Sequence, residues 1–250
     1  MNIICPMISD TRRMAMRKPN SLRAAVDPAT GDITVGVHLI PQTVWSDIIP
    51  RVKEILSLVL DRVLEGDHWK KIEVFSASQS GGKISFSWRA SNRSSCDESD
   101  IKLSQGATDR DLEILSTIIR FIFHGLCCGS LRFTEIGRVR SSQVRVLDMC
   151  NLFFYSSSLK QYDSGHDPTR SDLVEHKVPP CFVFEVLLYD RIRQIKGVGS
   201  DDSFVVSLAP ASRYTLHDFV MEVLGLEKKM TLLELRHFWT TLCNIVFPEG

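Results

Sequence analysis

The side chains best suited to chemistry lie in and around one long polar segment. They are two cysteines and two histidines, the residue types that bind zinc most often: Cys150, His166, His176 and Cys181. Together they could complete a tetrahedral site. Structural zinc sites usually supply ligands as close pairs, however, and the closest two residues here are His176 and Cys181. The spacing therefore favours a solvated surface loop, with zinc as the alternative, and we predict no cofactor.

Other apparent reactive groups have simpler interpretations. His124 and Cys128 share a helical face, but they end the most apolar stretch of the chain, where buried structural cysteine is expected. Residues 79–83 resemble part of a phosphate-binding loop, but Ala77 stands where the first glycine belongs. Because no local catalytic signature occurs, an enzyme would need a site assembled from scattered loop residues. The candidates for such a site are His166, Asp167, His176, Asp201 and Asp202.

Arginine is concentrated in a segment predicted to form strands. On an antiparallel hairpin, Arg132 and Arg145 would lie on the solvent face. With Arg138 and Arg140 they would form a patch that binds phosphate or an acidic partner. The alternative is a solvated face whose charges pair with nearby acids such as Glu135.

The N-terminal residues 1–31 differ from the rest of the chain. Basic residues outnumber acidic ones there, and Pro19 and Pro28 interrupt regular structure. We predict a flexible basic arm over 1–31 and one globular domain over 32–250, with a division into two lobes near 91–107 as the alternative. The basic residues that would contact an acidic partner, RNA or an anionic membrane are Arg12, Arg13, Arg17 and Lys18.

Composition and charge narrow the class of protein. Of 250 residues, 44% are hydrophobic and 24% are charged, which is ordinary globular composition. Thirty basic residues balance thirty acidic ones, so coating nucleic acid is disfavoured as the main role and self-association is permitted. Asp10, Arg12 and Arg13 stand where a secretory signal would be apolar, and no apolar run is long enough to cross a bilayer. We therefore expect an intracellular protein, cytoplasmic or nuclear, that is not secreted.

Two periodicities predict the elements that position these residues. Alternating apolar residues predict strands at 33–39, 72–74, 84–88, 131–133, 144–147, 151–155, 181–189 and 204–208. A period near 3.6 predicts helices at 50–63, 108–126, 215–225 and after Thr231. The helix at 108–126 is apolar on nearly all sides, so we expect it to be buried. The polar stretch 156–179 is predicted to be a long loop.

The order of these elements favours an α+β fold. Strands come in hairpins rather than alternating singly with helices, which is typical of mostly antiparallel sheet. We expect these sheets to be packed by the buried central helix and the two C-terminal helices.

The combined features favour a non-enzymatic assembly or interaction protein. Balanced charge, a basic arm and many strand edges suit a homo-oligomer that binds a protein partner, with RNA or an anionic membrane surface bound through basic patches. A matrix-like or accessory protein of an RNA virus is one example of this general design. The alternatives are an enzyme with a scattered site and a nucleic-acid-binding regulator that uses the arm and the arginine-rich strands.

Overall fold

The protein is an α+β structure, as predicted. The computed structural model describes residues 24–67, 69–70, 72–80, 83–90, 95–127, 136–148, 150–157, 173–199, 202–210 and 214–246. Within these ranges the chain forms six α-helices and three antiparallel sheets of three strands each.

Helices and strands are numbered in chain order. The helices are α1 (Gln42–Trp45), α2 (Ile48–Val63), α3 (Asp109–Phe121), α4 (Val183–Ile195), α5 (Leu216–Leu224) and α6 (Leu232–Val246). The strands are β1 (Ala24–Val26), β2 (Ile33–Val35), β3 (His38–Ile40), β4 (Ile72–Ser80), β5 (Lys83–Ala90), β6 (Ser95–Asp97), β7 (Val144–Asp148), β8 (Asn151–Ser157) and β9 (Leu173–Lys177). The sheets are β1-β2-β3, β4-β5-β6 and β7-β8-β9.

α3 lies at the centre of the core, which confirms the predicted central helix. It begins with a capping box, in which the Thr108 hydroxyl accepts from the Asp111 N–H and the Asp111 carboxylate accepts from the Thr108 N–H. Arg62 of α2 donates to the same carboxylate at 2.6 Å. A π-helical turn, Ile122–Cys127, continues α3. α3 packs against α2, α4 and α5 and thus links these three helices.

The predicted single strand at 33–39 is wrong. Gly36 adopts a φ of 59°, a left-handed conformation that glycine reaches without strain, and the chain reverses there into the β2–β3 hairpin. The reversal changes which residues face the core, because His38 is buried while Val37 and Leu39 are exposed. β1 lies within the range predicted as the arm, and it pairs with β2 of the adjoining domain. Residues 1–23 lie outside the described part of the chain.

The predicted strand at 181–189 is also wrong, since this segment forms a 3-10 turn, Pro180–Phe182, and then α4. A short apolar run rich in β-branched and aromatic residues does not distinguish a buried strand from a buried helix. Pro180 suits a helical first turn. The buried positions of α4 then recur at helical spacing, as at Val183, Val186 and Asp190.

The segment 204–208, predicted as a strand, is irregular. Side chains of α3 and α4 take the place of a neighbouring strand. Arg120 Nε donates to the Val205 carbonyl at 3.0 Å, and the Tyr189 hydroxyl donates to the Val206 carbonyl at 2.7 Å. Backbone groups that a strand would pair are therefore satisfied by side chains distant in sequence, which the alternation pattern does not reveal.

Two further side chains of α3 bind the same segment. Glu113 accepts a hydrogen bond from the Ser207 hydroxyl and pairs with Arg120 at 3.1 Å. The Ser116 hydroxyl accepts from the Leu208 N–H at 3.1 Å and donates to the Leu112 carbonyl. These contacts explain why α3 tolerates Glu113 and Ser116 as buried polar residues.

Arg193 of α4 is the most connected buried charge in the described ranges. It is 2% exposed, and its Nη1 atom lies 2.9 Å from both the Asp190 carboxylate and the Ser141 hydroxyl. Its Nη2 atom donates to the Ser203 carbonyl at 3.0 Å, and its guanidinium lies 4.9 Å from the Phe204 ring centroid. This one side chain therefore joins α4, the turn before β7 and the 203–208 segment.

The part of 156–179 that the structure describes contains a strand, so the predicted loop is wrong at 173–177. β9 pairs with β8 in antiparallel register, with His176 opposite Phe154. The signal for this strand was weak, because Leu173–Lys177 contains only two apolar residues and follows a polar stretch. Residues 158–172 and the predicted strand at 131–133 lie outside the described residues.

Two histidines are buried in the core as neutral groups. Burial, with a smaller effect of the nearby Arg236 charge, lowers the pKa of His124 to about 4. Burial lowers the pKa of His176 to about 4 as well. The His176 ring lies 2.7 Å from the Ser156 hydroxyl and stacks on Phe154. Both imidazoles therefore act as packed core groups.

We expect Arg193→Ala to lower the free energy of unfolding by about 3–5 kcal/mol, because it leaves Asp190 buried without its ion-pair partner. Arg191→Ala on the same helix is the matched control. Arg191 is only part-buried and donates to the Glu98 carbonyl, so a loss of about 1 kcal/mol is expected. Urea unfolding measures both. Equal losses in the two variants would contradict the assigned role of Arg193.

We also expect the protein to lose stability in mild acid. In an unfolded chain histidine protonates near pH 6.5. In the folded state both histidines have a pKa of about 4, so between pH 4 and 6.5 the unfolded state binds more protons than the folded state. The free energy of unfolding should thus fall as pH drops from about 6.5 to 4, by roughly 3 kcal/mol per histidine.

Urea unfolding at several pH values tests this expectation. The variants His124→Asn and His176→Asn cannot titrate in this range, so each should show a shallower pH dependence than the wild type, whatever its absolute stability. An unchanged pH dependence in both variants would rule out these histidines as the cause.

Candidate functional site

The third sheet separates the core from solvent. Its inward side chains for which burial is described are buried: Val144, Val146, Leu152, Phe154, Ser156 and His176. We call the opposite surface the β7–β9 face, and its side chains are Arg145, Phe153, Tyr155, Glu175 and Lys177. This alternation is what antiparallel strands with one buried side produce.

Pairing between the strands fixes the order of residues on the β7–β9 face. Arg145 on β7 lies opposite Phe153 on β8, which lies opposite Lys177 on β9. Tyr155 lies opposite Glu175 in a second row. The central strand thus contributes two aromatic rings, and each edge strand contributes a cation.

Each aromatic ring carries a positive charge above it. The Arg145 guanidinium carbon lies 5.4 Å from the Tyr155 ring centroid, and Lys177 Nζ lies 5.6 Å from the Phe153 ring centroid. Such cation–π contacts are worth about 0.5–1 kcal/mol at exposed sites. Stacking of a nucleic-acid base on an aromatic side chain is worth about 1–3 kcal/mol. A base can therefore displace either cation from its ring and leave it free to bind phosphate.

The Tyr155 ring is also held at its edge. Its hydroxyl donates to Glu175 Oε2 at 2.6 Å. This bond orients the ring and places one negative charge at that end of the β7–β9 face, which reduces the local positive potential.

Two more of the predicted arginines lie in the segment that precedes this sheet in the chain. Arg138 and Arg140 are exposed, and Arg140 precedes the Ser141–Gln143 turn that leads into β7. The strand register places this end of β7 next to Tyr155. Of the four arginines predicted as a phosphate-binding patch, Arg145 lies on this face, and Arg138 and Arg140 are exposed in the segment that leads into β7. The fourth, Arg132, is outside the described residues.

Sequence reasoning missed the aromatic half of this site. The signal was present in β8, where Phe153 and Tyr155 alternate with the buried Leu152 and Phe154. Lys177 had no signal, because its strand was predicted as a loop. Of the other predicted contacts, Arg12, Arg13, Arg17 and Lys18 lie outside the described residues.

The zinc candidates have different surroundings. His176 is buried and bonded to Ser156, whereas Cys150 and Cys181 are exposed. Although Cys181 is exposed as a residue, partial desolvation of its thiol raises the pKa, which disfavours the thiolate form that binds metal. Within the described ranges, no three His, Cys, Asp or Glu side chains converge to hold a metal ion. His166 lies outside those ranges, so the structure does not test the alternative of a zinc site that includes it.

The candidate residues for a scattered enzyme site are likewise split between the core, the surface and the part of the chain that is not described. Of these residues, His176 lies in the core and Asp202 is exposed, where its carboxylate accepts from the Gly199 N–H at 2.9 Å. His166, Asp167 and Asp201 are outside the described residues.

Among the described residues, each helix is too short or too polar to cross a membrane. The chain matches no protein-family model, and no curated protein or solved structure is significantly similar to it.

Proposed function

We propose that this protein is a non-enzymatic interaction protein that binds nucleic acid on the β7–β9 face. The observation that carries this proposal is the pairing of Arg145 with Tyr155 and of Lys177 with Phe153 on one solvent-facing sheet. Cations attract phosphates without regard to sequence, and aromatic rings accept any base.

The neutral overall charge is compatible with this function. Net charge governs long-range attraction, whereas phosphate contacts depend on the local arrangement of cations. Arg145 and Lys177 lie on the β7–β9 face, opposed there by Glu175, and Arg138 and Arg140 are exposed in the segment that leads into β7. We therefore expect moderate affinity with a clear dependence on salt.

Binding can be measured by fluorescence anisotropy with labelled RNA, both single-stranded oligouridine and a duplex of equal length. Contacts to about three phosphates give a slope near −2 when log affinity is plotted against log salt, or roughly a 20-fold loss between 50 and 200 mM NaCl. The double variant Arg138→Ala/Arg140→Ala should bind about 10-fold more weakly and reduce this slope by about 1–2.

Lys102→Ala/Lys196→Ala is the matched control, because it removes two exposed positive charges elsewhere on the molecule. It should bind like the wild type. If neither RNA binds, or if both double variants lose affinity equally, nucleic-acid binding by this surface is rejected. Binding to anionic lipid vesicles instead of RNA would assign the basic residues to a membrane.

Self-association is a second candidate function, and a different surface supports it. At the β2–β3 hairpin, Val37 is 79% exposed and Leu39 is 59% exposed. His38 of this hairpin lies against α6, with 3.9 Å between its Nε2 atom and Glu234 Oε2. Exposed apolar residues on a short sheet suit contact with a second copy of the chain, as a matrix-like or accessory viral protein would require.

We expect Leu39→Glu to abolish a concentration-dependent increase in mass measured by light scattering, because a charge in an apolar contact opposes association. Leu58→Glu is the control, since Leu58 is 53% exposed on α2. A wild-type mass that stays monomeric at all concentrations, or an equal effect of both variants, would exclude association through the hairpin.

A further inference from the structure

We infer that the β7–β9 face selects single-stranded nucleic acid and that two successive bases stack on Phe153 and Tyr155. The inference rests on the nucleic-acid binding proposed above and names the form of nucleic acid that binds. It follows from the spacing of the two rings, their fixed orientation and the position of the cations.

The spacing of the rings excludes bases that remain stacked on one another. Phe153 and Tyr155 are two residues apart on β8, so their positions are about 6.8 Å apart along the strand. Successive nucleotides of a duplex strand rise by about 3.4 Å. Two adjacent bases can therefore lie on the two rings only if the strand is extended and its bases are separated, as in a single strand.

The rings are presented by a rigid support. The neighbouring β8 side chains Leu152 and Phe154 are fully buried, and Phe154 packs against Phe123 with 4.4 Å between ring centroids. Tyr155 is further oriented by its hydrogen bond to Glu175. Because the strand cannot rotate, both rings stay on the solvent side before any ligand arrives.

The cations lie where a single strand would place its phosphates. Arg145 and Lys177 flank β8 on opposite sides, and each covers one ring. When a base replaces the cation above a ring, the long side chain can turn to the adjacent phosphate without leaving the site. The face thus combines two stacking surfaces with a charge on each flank, the arrangement that suits single strands.

The test compares labelled oligouridine with a duplex of the same length, using the full chain. The wild type should bind the single strand at least about 10-fold more tightly than the duplex. Phe153→Leu and Tyr155→Leu should each weaken single-strand binding by about 5-fold or more. Tyr155→Phe keeps the ring but loses the hydrogen bond to Glu175, so it should weaken binding less than Tyr155→Leu does.

The salt dependence separates stacking from charge. The two leucine variants should keep the wild-type salt slope, because the phosphate contacts remain, whereas Arg145→Ala should reduce it by about 1. Circular dichroism checks that each variant is folded. If a variant does not fold, its binding measurement is replaced by photocrosslinking of the wild type to oligouridine that contains 5-bromouridine. Peptide mass spectrometry then identifies the crosslinked segment, which should be β8.

The outcomes distinguish this inference from the function on which it rests. Equal affinity for single strand and duplex, with unchanged binding by folded leucine variants, would overturn the stacking inference and leave nucleic-acid binding intact. Crosslinks confined to peptides outside β8 would overturn it too. No binding to either RNA would remove both proposals.

Discussion

The arrangement of this protein depends on the buried contact between Arg193 and the groups around it. One guanidinium binds a carboxylate of its own helix, a hydroxyl in the turn before β7 and a backbone carbonyl of the 203–208 segment. Burial raises the pKa of Asp190, which the Arg193 charge opposes. Since a buried charge without a partner is costly, these three parts of the chain are stable only together. The turn before β7 also carries Arg140, so core packing fixes one end of the β7–β9 face.

Local patterns predicted the helices better than the strands. α3, α5 and α6 each follow a Thr with an acidic residue three positions later, a signal contained within a few residues. The errors at 181–189 and 204–208 have the opposite cause. Their conformation depends on residues far away in sequence, such as Arg120 and Tyr189, whose contacts no local window includes.

Local patterns also predicted only part of the candidate site. Arg145 was assigned to a solvent face because Val144 and Val146 on either side are apolar, and the structure places it there. Phe153 and Tyr155 were visible only as apolar residues of a strand. Their role requires β9 as a neighbour, and Lys177 joins them through a pairing that spans residues 158–172. Non-local pairing of this kind is the part of a sheet that sequence patterns specify least.

β8 serves the core and the surface with alternate residues, and this limits how the chain can change over evolution. Insertion or deletion of one residue within β8 would exchange its two sides, placing Tyr155 in the interior and Phe154 in water. Changes in length should therefore accumulate in the connections on either side of the strand. Substitutions at its outward positions, by contrast, can alter ligand preference while the interior stays intact, so this strand could acquire new specificities without refolding the protein.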